Sequence, residues 1–198
     1  MARYTGPKDK ISRREGFDVY GKGAKLTRLT VPPGIHGPRG MRKSSQFGRQ
    51  LREKQKVKRI YGVYEKQFKK YIDEALNSKG NSGDKLLSLL ETRLDNVIFR
   101  LGFAPTRPAA RQFVSHRHVM VNGKKVNIPS YNVRAGDTVS LVESAMKIPS
   151  IGKLLKEDVK IPDWLKRKAV VGKIVRIPTG DDIMEPISIQ DIVEFYSR

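Results

Sequence analysis

The stretch from Arg93 to Asn132 reads RLDNVIFRLGFAPTRPAARQFVSHRHVMVNGKKVNIPSYN, and its changes of period decide the fold. At its start Leu94, Val97, Ile98 and Leu101 continue a helical spacing begun by Leu86 and Leu90, and Gly102 stands just past the expected end. These leucines read as core. Thr106 is placed to cap a short helix whose second position is Pro108, where proline costs little because that amide lacks an intrahelical partner. On a helical wheel Arg107, Arg111, Gln112, Ser115 and His118 fall within about 140° of arc, with Ala109, Ala110, Phe113 and Val114 opposite. Next, VMVNGKKV carries an Asn122-Gly123 hairpin signal, followed by Val126-Asn127-Ile128 and by AGDTVSLVE. The pattern predicts an α+β unit over residues 92–143: short helices beside a small antiparallel sheet, with one basic helical face.

Outward from this unit the pattern is mainly helical. Upstream, Ser44 or Ser45 can cap a helix through QFGRQLREKQKVKRIYG, ending near Gly62. A second helix fits Tyr64 to Lys79, with Phe68, Ile72, Ala75 and Leu76 on one face, and stops at Gly80. Downstream, a helix over Ile148–Glu157, a lone Trp164 and a strand-like Val170–Ile177 precede a terminal helix from Ser188. The S-x-x-D spacing of Ser188 to Asp191 resembles a capping box, and Ile189, Ile192, Val193 and Phe195 form the apolar face of that helix. Residues 1–43 are rich in Gly, Pro and base, and Val31-Pro32-Pro33-Gly34 forces an extended segment into a turn. Such a segment has little core of its own and is expected to become ordered against a partner. The expected division is therefore an extension (1–43), a first helical part (44–91), the central unit (92–143) and a second helical part (144–198).

Charge points to the partner. The 198 residues carry 40 Lys and Arg against 20 Asp and Glu, a net charge of +20. Residues 1–90 hold 22 bases and 8 acids, whereas residues 146–198 hold 10 and 8, so the C-terminal part reads as scaffold. One basic run is usually just a solvated face; so large a one-signed excess implies a polyanion. The candidate phosphate contacts of the extension are Arg3, Lys8, Arg13, Arg14 and Lys22, and those of the turn-rich loop are Arg39, Arg42 and Lys43. The long helices add Arg49, Arg52, Lys54, Lys56, Arg59 and Lys69. The central unit adds Arg107, Arg111, Ser115, His116, His118 and Lys124. The Arg107 and Arg111 face is expected to position the unit on phosphates without supporting the fold. Tyr4, Phe17, Tyr20, Phe47 and Tyr61 either stack on exposed bases or pack beneath the cations.

Other classes are disfavoured. No apolar run suits a bilayer and no secretory pattern follows Met1, so neither membrane nor secretion is expected. With no cysteine, thiolate metal sites, disulfides and cysteine nucleophiles are excluded. No phosphate-binding loop or G-x-S-x-G elbow is present, and Gly21-Lys22-Gly23 is too short to be one. His116-x-His118 lacks an evident third ligand, and Asp181-Asp182 reads as a solvated turn. The expectation is a non-enzyme with no catalytic residue, metal, cofactor or small-molecule substrate. A short basic helix beside a small sheet reads a DNA major groove poorly and suits folded RNA.

Arg93–Asn132 closely resembles the αL RNA-binding module named after bacterial ribosomal protein S-four. That module also occurs in pseudouridine synthases and tyrosyl-tRNA synthetases, so a stand-alone RNA-modifying enzyme or a tRNA- or rRNA-binding accessory is the alternative. A DNA-compacting basic protein is a third reading. The flanks ARYTGPK, SRREG, PPGIHG, QLREKQKVKRIYGV and VEFYSR extend the likeness end to end, to the family of small-subunit ribosomal protein four. The resemblance implies a mainly helical discontinuous domain with the module inserted. It implies a primary 16S rRNA binder that nucleates the subunit body at a five-way junction, with a part in translational accuracy. Its implied partners are ribosomal proteins five and three and mRNA at the entrance, and its implied location is the small subunit in the cytoplasm. Many relatives hold zinc in a cysteine cluster equivalent to Ile11–Val31. Here that stretch has no cysteine, so zinc is not carried over, and its shape is expected from rRNA contacts and local turns.

Overall fold

The computed structural model describes residues 4–23, 26–40, 43–156, 159–183 and 185–197. In chain order the helices before the sheet are α1 (Lys8–Glu15), α2 (Gln46–Ile60), α3 (Glu65–Leu76), α4 (Ser82–Glu91), α5 (Leu94–Arg100) and α6 (Arg107–Ser115). There follow β1 (Val119–Val121), β2 (Lys124–Lys125), β3 (Thr138–Leu141), α7 (Glu143–Met146) and α8 (Pro149–Lys156). Last come β4 (Leu165–Lys168), β5 (Val171–Ile174) and α9 (Ile189–Tyr196). The fold is α+β and divides into two compact units, Met1–Ile72 with Pro186–Arg198, and Asp73–Glu185. Among the described residues no helix is long and apolar enough to cross a membrane.

The first unit is helical and built from both ends of the chain. Ser45 Oγ accepts from the Gly48 amide at 3.2 Å and so fixes the start of α2. The α2 helix buries Val57 and Ile60, and α9 lies along it with Ile192 buried. The ring of Phe68 on α3 stands 6.2 Å from that of Tyr196. The expected box at Ser188 is not formed; its side chain makes no cap, and its amide donates instead to Glu53 Oε2 at 3.3 Å. The segment expected to lack a core contains α1 and buries Ile11, Val19 and Leu26. Its shape has internal causes as well as turns. The Arg13 guanidinium donates to the carbonyls of Val31 (2.9 Å) and Pro32 (3.1 Å). The Asp18 carboxylate accepts from the amides of Tyr20 (3.3 Å) and Gly23 (2.7 Å).

The second unit is one antiparallel sheet, in the order β2-β1-β3-β5-β4, covered on one face by helices. Asn122 (φ 48°) and Gly123 (φ 77°) are both left-handed, as a two-residue hairpin turn requires. The inner face presents Val119, Val121, Val139, Leu141, Leu165 and Ile174 to Leu94, Val97, Ile98 and Leu101 of the α5 region and to Ala110 and Val114 of α6. A Cβ at Gly172 would lie 2.4 Å from Leu101 Cδ1, so only glycine lets sheet and helix approach this closely.

Two expectations change here. The single helix expected through Leu86–Leu101 is two, because the chain turns at Thr92–Arg93 and Arg93 pairs with Asn132 in an isolated bridge. The first amides of α5, those of Leu94 and Asp95, donate to the carbonyls of Tyr131 (2.8 Å) and Pro129 (3.1 Å). That loop supplies acceptors an unbroken helix would have drawn from its own previous turn. Residues 144–185, expected in the helical part, belong to the second unit, because β4 and β5 extend its sheet beside β3. By compactness the two units part within α3 and after Glu185.

Candidate nucleic-acid interface

In the first unit many of the expected phosphate contacts have internal partners. The register that buries Val57 also turns Lys54 inward, where its Nζ donates to Glu65 Oε1 at 2.7 Å and stands 4.7 Å from the Phe195 ring centroid. Lys58 donates to Glu65 Oε2 at 2.8 Å and the Tyr196 hydroxyl to Glu65 Oε1 at 2.8 Å. Burial raises the pKa of that carboxyl, but these three donors outweigh it and lower the value to about 2. Arg59 pairs with Glu15, Lys22 with Asp9, and Lys56 donates to the Pro186 carbonyl. Glu15 moves the other way: burial raises it, against the pull of Arg59, Arg52 and Arg14. Arg52 stands 3.7 Å from Glu15 and Arg49 3.8 Å from Asp191, both arginines largely exposed. Lys8 lies over the Tyr20 ring and Arg14 is exposed. Arg39, Lys43 and Lys69 are exposed, with no carboxylate partner among the described residues. Arg3 and Arg42 lie outside the described residues.

Of the aromatics, Tyr61 is core, and the exposed Phe47 ring packs on Phe195 at 5.5 Å. Phe17 and Tyr20 are partly buried beneath lysines, and Tyr4 is exposed.

In the second unit α6 starts as expected, with Thr106 Oγ1 accepting from the Ala109 amide at 3.3 Å. Its arginines, however, face carboxylates. Arg107 donates to Glu185 Oε1 at 2.5 Å and to Asn96 Oδ1 at 2.8 Å, over the Phe99 ring. Arg111 Nε lies 3.2 Å from Asp95 Oδ2, which also takes Arg93 at 2.8 Å. Arg100 makes a two-pronged pair with Glu91 (3.0 and 2.8 Å) and reaches Glu185 at 2.7 Å. Burial raises the pKa of Glu185, yet Arg107 and Arg100 together hold it below the usual glutamate value. The face expected to be independent of the fold is thus part of a largely buried ionic network joining α4, α5, α6 and Glu185. Asp182, expected in a solvated turn, is likewise paired, with Arg176 at 2.6 Å.

The end of α6 differs. Ser115 donates back to the Arg111 carbonyl at 2.7 Å, His116 is exposed, and His118 stands edge-on to Phe113. Lys124 is exposed beside the hairpin turn. Four exposed cations that sequence reading missed, Lys125, Lys166, Lys168 and Lys173, sit on the strands; the period-2 spacing of Lys166 and Lys168 was their signal. No group of His, Asp or Glu among the described residues is arranged to hold a metal ion. What both units offer is noncovalent binding of anions by exposed cations on a pre-formed frame.

Residues 3–91 match the family described as ribosomal protein S4/S9 N-terminal domain, and residues 92–139 match the S4 domain family. A protein named small ribosomal subunit protein uS4 from Natranaerobius thermophilus is 47% identical over 209 residues, covering 100% of both chains. Proteins of the same name from Halothermothrix orenii and Akkermansia muciniphila are each 49% identical, again over 100% of both chains.

Proposed function

The chain belongs to the ribosomal protein S4 family, and on that premise we propose that it is a structural, rRNA-binding component of the small ribosomal subunit. The observation that carries this reading is the end-to-end likeness to proteins of that name, over both units rather than the module alone. An RNA-modifying enzyme sharing only the module would not match over residues 3–91 as well. The finer reading is a primary 16S rRNA binder that nucleates the subunit body at the five-way junction, contacts proteins five and three, and influences accuracy. It acts in the cytoplasm, within the subunit. Its phosphate contacts are the exposed bases Lys8, Arg14, Arg49, Arg52, Lys69 and Lys124, together with His116. Arg39, Arg42 and Lys43 serve mRNA at the entrance, since cations spaced along a Gly-rich stretch, with Arg39 and Lys43 exposed, suit a passing single-stranded backbone.

Sedimentation tests the coarse reading. The tagged protein is expected to remain in small subunits after a high-salt wash, and its release into the free pool would sink the assignment. Replacing Arg39, Arg42 and Lys43 with Ala is expected to leave assembly intact and to slow translation through a stable mRNA hairpin. Loss of assembly would mean instead that these side chains clamp rRNA.

A further inference from the structure

The sheet of the second unit has two faces, and among the described residues the core side chains pack against helices on one of them. Side chains that pair across antiparallel strands point to the same side, so the register maps the other face. One row runs through Lys125, Met120, Ser140, Val171 and Lys168, crossing all five strands. A second runs through Thr138, Lys173 and Lys166. All four lysines are exposed, none has a carboxylate partner among the described residues, and neither row contains an acid. Lys166 and Lys173 are direct cross-strand partners. Like charges set opposite one another destabilise a free sheet, and a bound polyanion removes that repulsion. The near-neutral average over the C-terminal part hides this concentration of base.

We propose that this lysine-lined face is a further RNA-binding surface, taking the phosphate backbones of an rRNA duplex; it rests on the rRNA-binding reading above. The face has no aromatic side chain in either row, so it offers no platform for unstacked bases and does not suit a single strand. Lys125 and Lys168 stand at opposite ends of one row, four strand spacings or ~19 Å apart. Cations at both ends of the row fit the two backbones beside the wide minor groove of A-form RNA. An acidic protein is the poorer occupant. Lysine is depleted from protein interfaces, and only Met120 and Val171 supply an apolar centre. Such binding reads no sequence.

The absence of cysteine gives a clean test, because a single introduced thiol is the only one to label. Lys125→Cys and Lys168→Cys, each carrying a tethered iron–EDTA group, are reconstituted into small subunits and the rRNA is mapped for hydroxyl-radical cuts. Cuts on the two strands of one rRNA helix, one set from each position, are the expected result. In parallel, Lys166→Gln with Lys168→Gln and Lys173→Gln should flatten the salt dependence of rRNA binding by about 2 in slope, with a thermal transition no lower than the parent's, since the Lys166 and Lys173 repulsion goes with them. Absence of cuts near either probe, with a parental slope, overturns the proposal while leaving the rRNA-binding reading standing. Cuts in a neighbouring protein instead of rRNA overturn it in favour of an acidic protein partner. Failure of the parent chain itself to bind rRNA removes both readings together.

Discussion

Glu185 holds two guanidiniums at once, Arg100 at 2.7 Å and Arg107 at 2.5 Å, and all three side chains are largely withdrawn from water. Removing one member of such a set leaves an uncompensated charge in a poorly hydrated place. Arg107→Ala is therefore expected to lower the unfolding free energy by about 3 kcal/mol in urea titration. Glu185→Gln, which keeps shape and some hydrogen bonding, should cost less. An Arg107→Ala chain as stable as the parent would return this arginine to the RNA-facing surface. Glu65 gives a pH signature. Its pKa of about 2 in the folded chain lies below the ordinary 4.5, so its stabilising contribution is complete above 4.5 and is lost as pH falls through about 2. The urea midpoint of the parent should thus fall more steeply below pH 4.5 than that of Glu65→Gln. Glu15, raised by burial, has the opposite slope: its cost appears as pH rises through its folded value. Parallel midpoint curves for parent and Glu65→Gln would show that Lys54, Lys58 and Tyr196 do not act on this carboxylate.

Single elements were legible where local chemistry determines them. The starts of α2 and α6 follow from Ser45 and Thr106, and the hairpin from Asn122-Gly123, because a cap or a positive φ is a property of neighbouring residues. The break between α4 and α5 was not legible. Its cause is the pair of carbonyls at Pro129 and Tyr131, over thirty residues away, and the leucine spacing runs through it undisturbed. Nor was β4, since LKRK looks like a solvated basic run until β5 pairs with it. The junction of sheet and helix carries its own test. At Gly172 an added methyl meets the Leu101 side chain, so Gly172→Ala should destabilise the second unit by about 2 kcal/mol through overpacking. Partial rescue by Leu101→Ala, which removes the opposing methyls, would identify the clash as the cause. A neutral Gly172→Ala would mean that the helix can draw back from the sheet.

Across the whole molecule, net charge indicated the partner class but not which cations are available to it. The +20 excess is a property of composition, whereas availability depends on where acids distant in sequence come to lie. Glu15, Glu65, Asp95 and Glu185 engage Arg59, Lys54, Arg111 and Arg107, four of the twenty side chains expected on RNA. The pairing uses up acids as well as bases, so the exposed remainder is more one-signed than the composition suggests. Released counterions, not the total of lysines and arginines, set the salt dependence of binding. With roughly 8 phosphate contacts made by exposed bases, log K for small-subunit rRNA should fall against log salt with a slope of about −6 to −7. Filter binding between low and physiological salt measures it. Arg107→Ala, chosen from the paired set, should leave that slope near the parental value at a temperature where the variant stays folded. Replacing exposed Lys69 and Lys124 together should flatten it by about 1 to 2. If Arg107→Ala flattens the slope as much as the exposed pair does, the α6 guanidinium leaves Glu185 for phosphate on binding, and the network is a reserve of cations rather than a fixed frame.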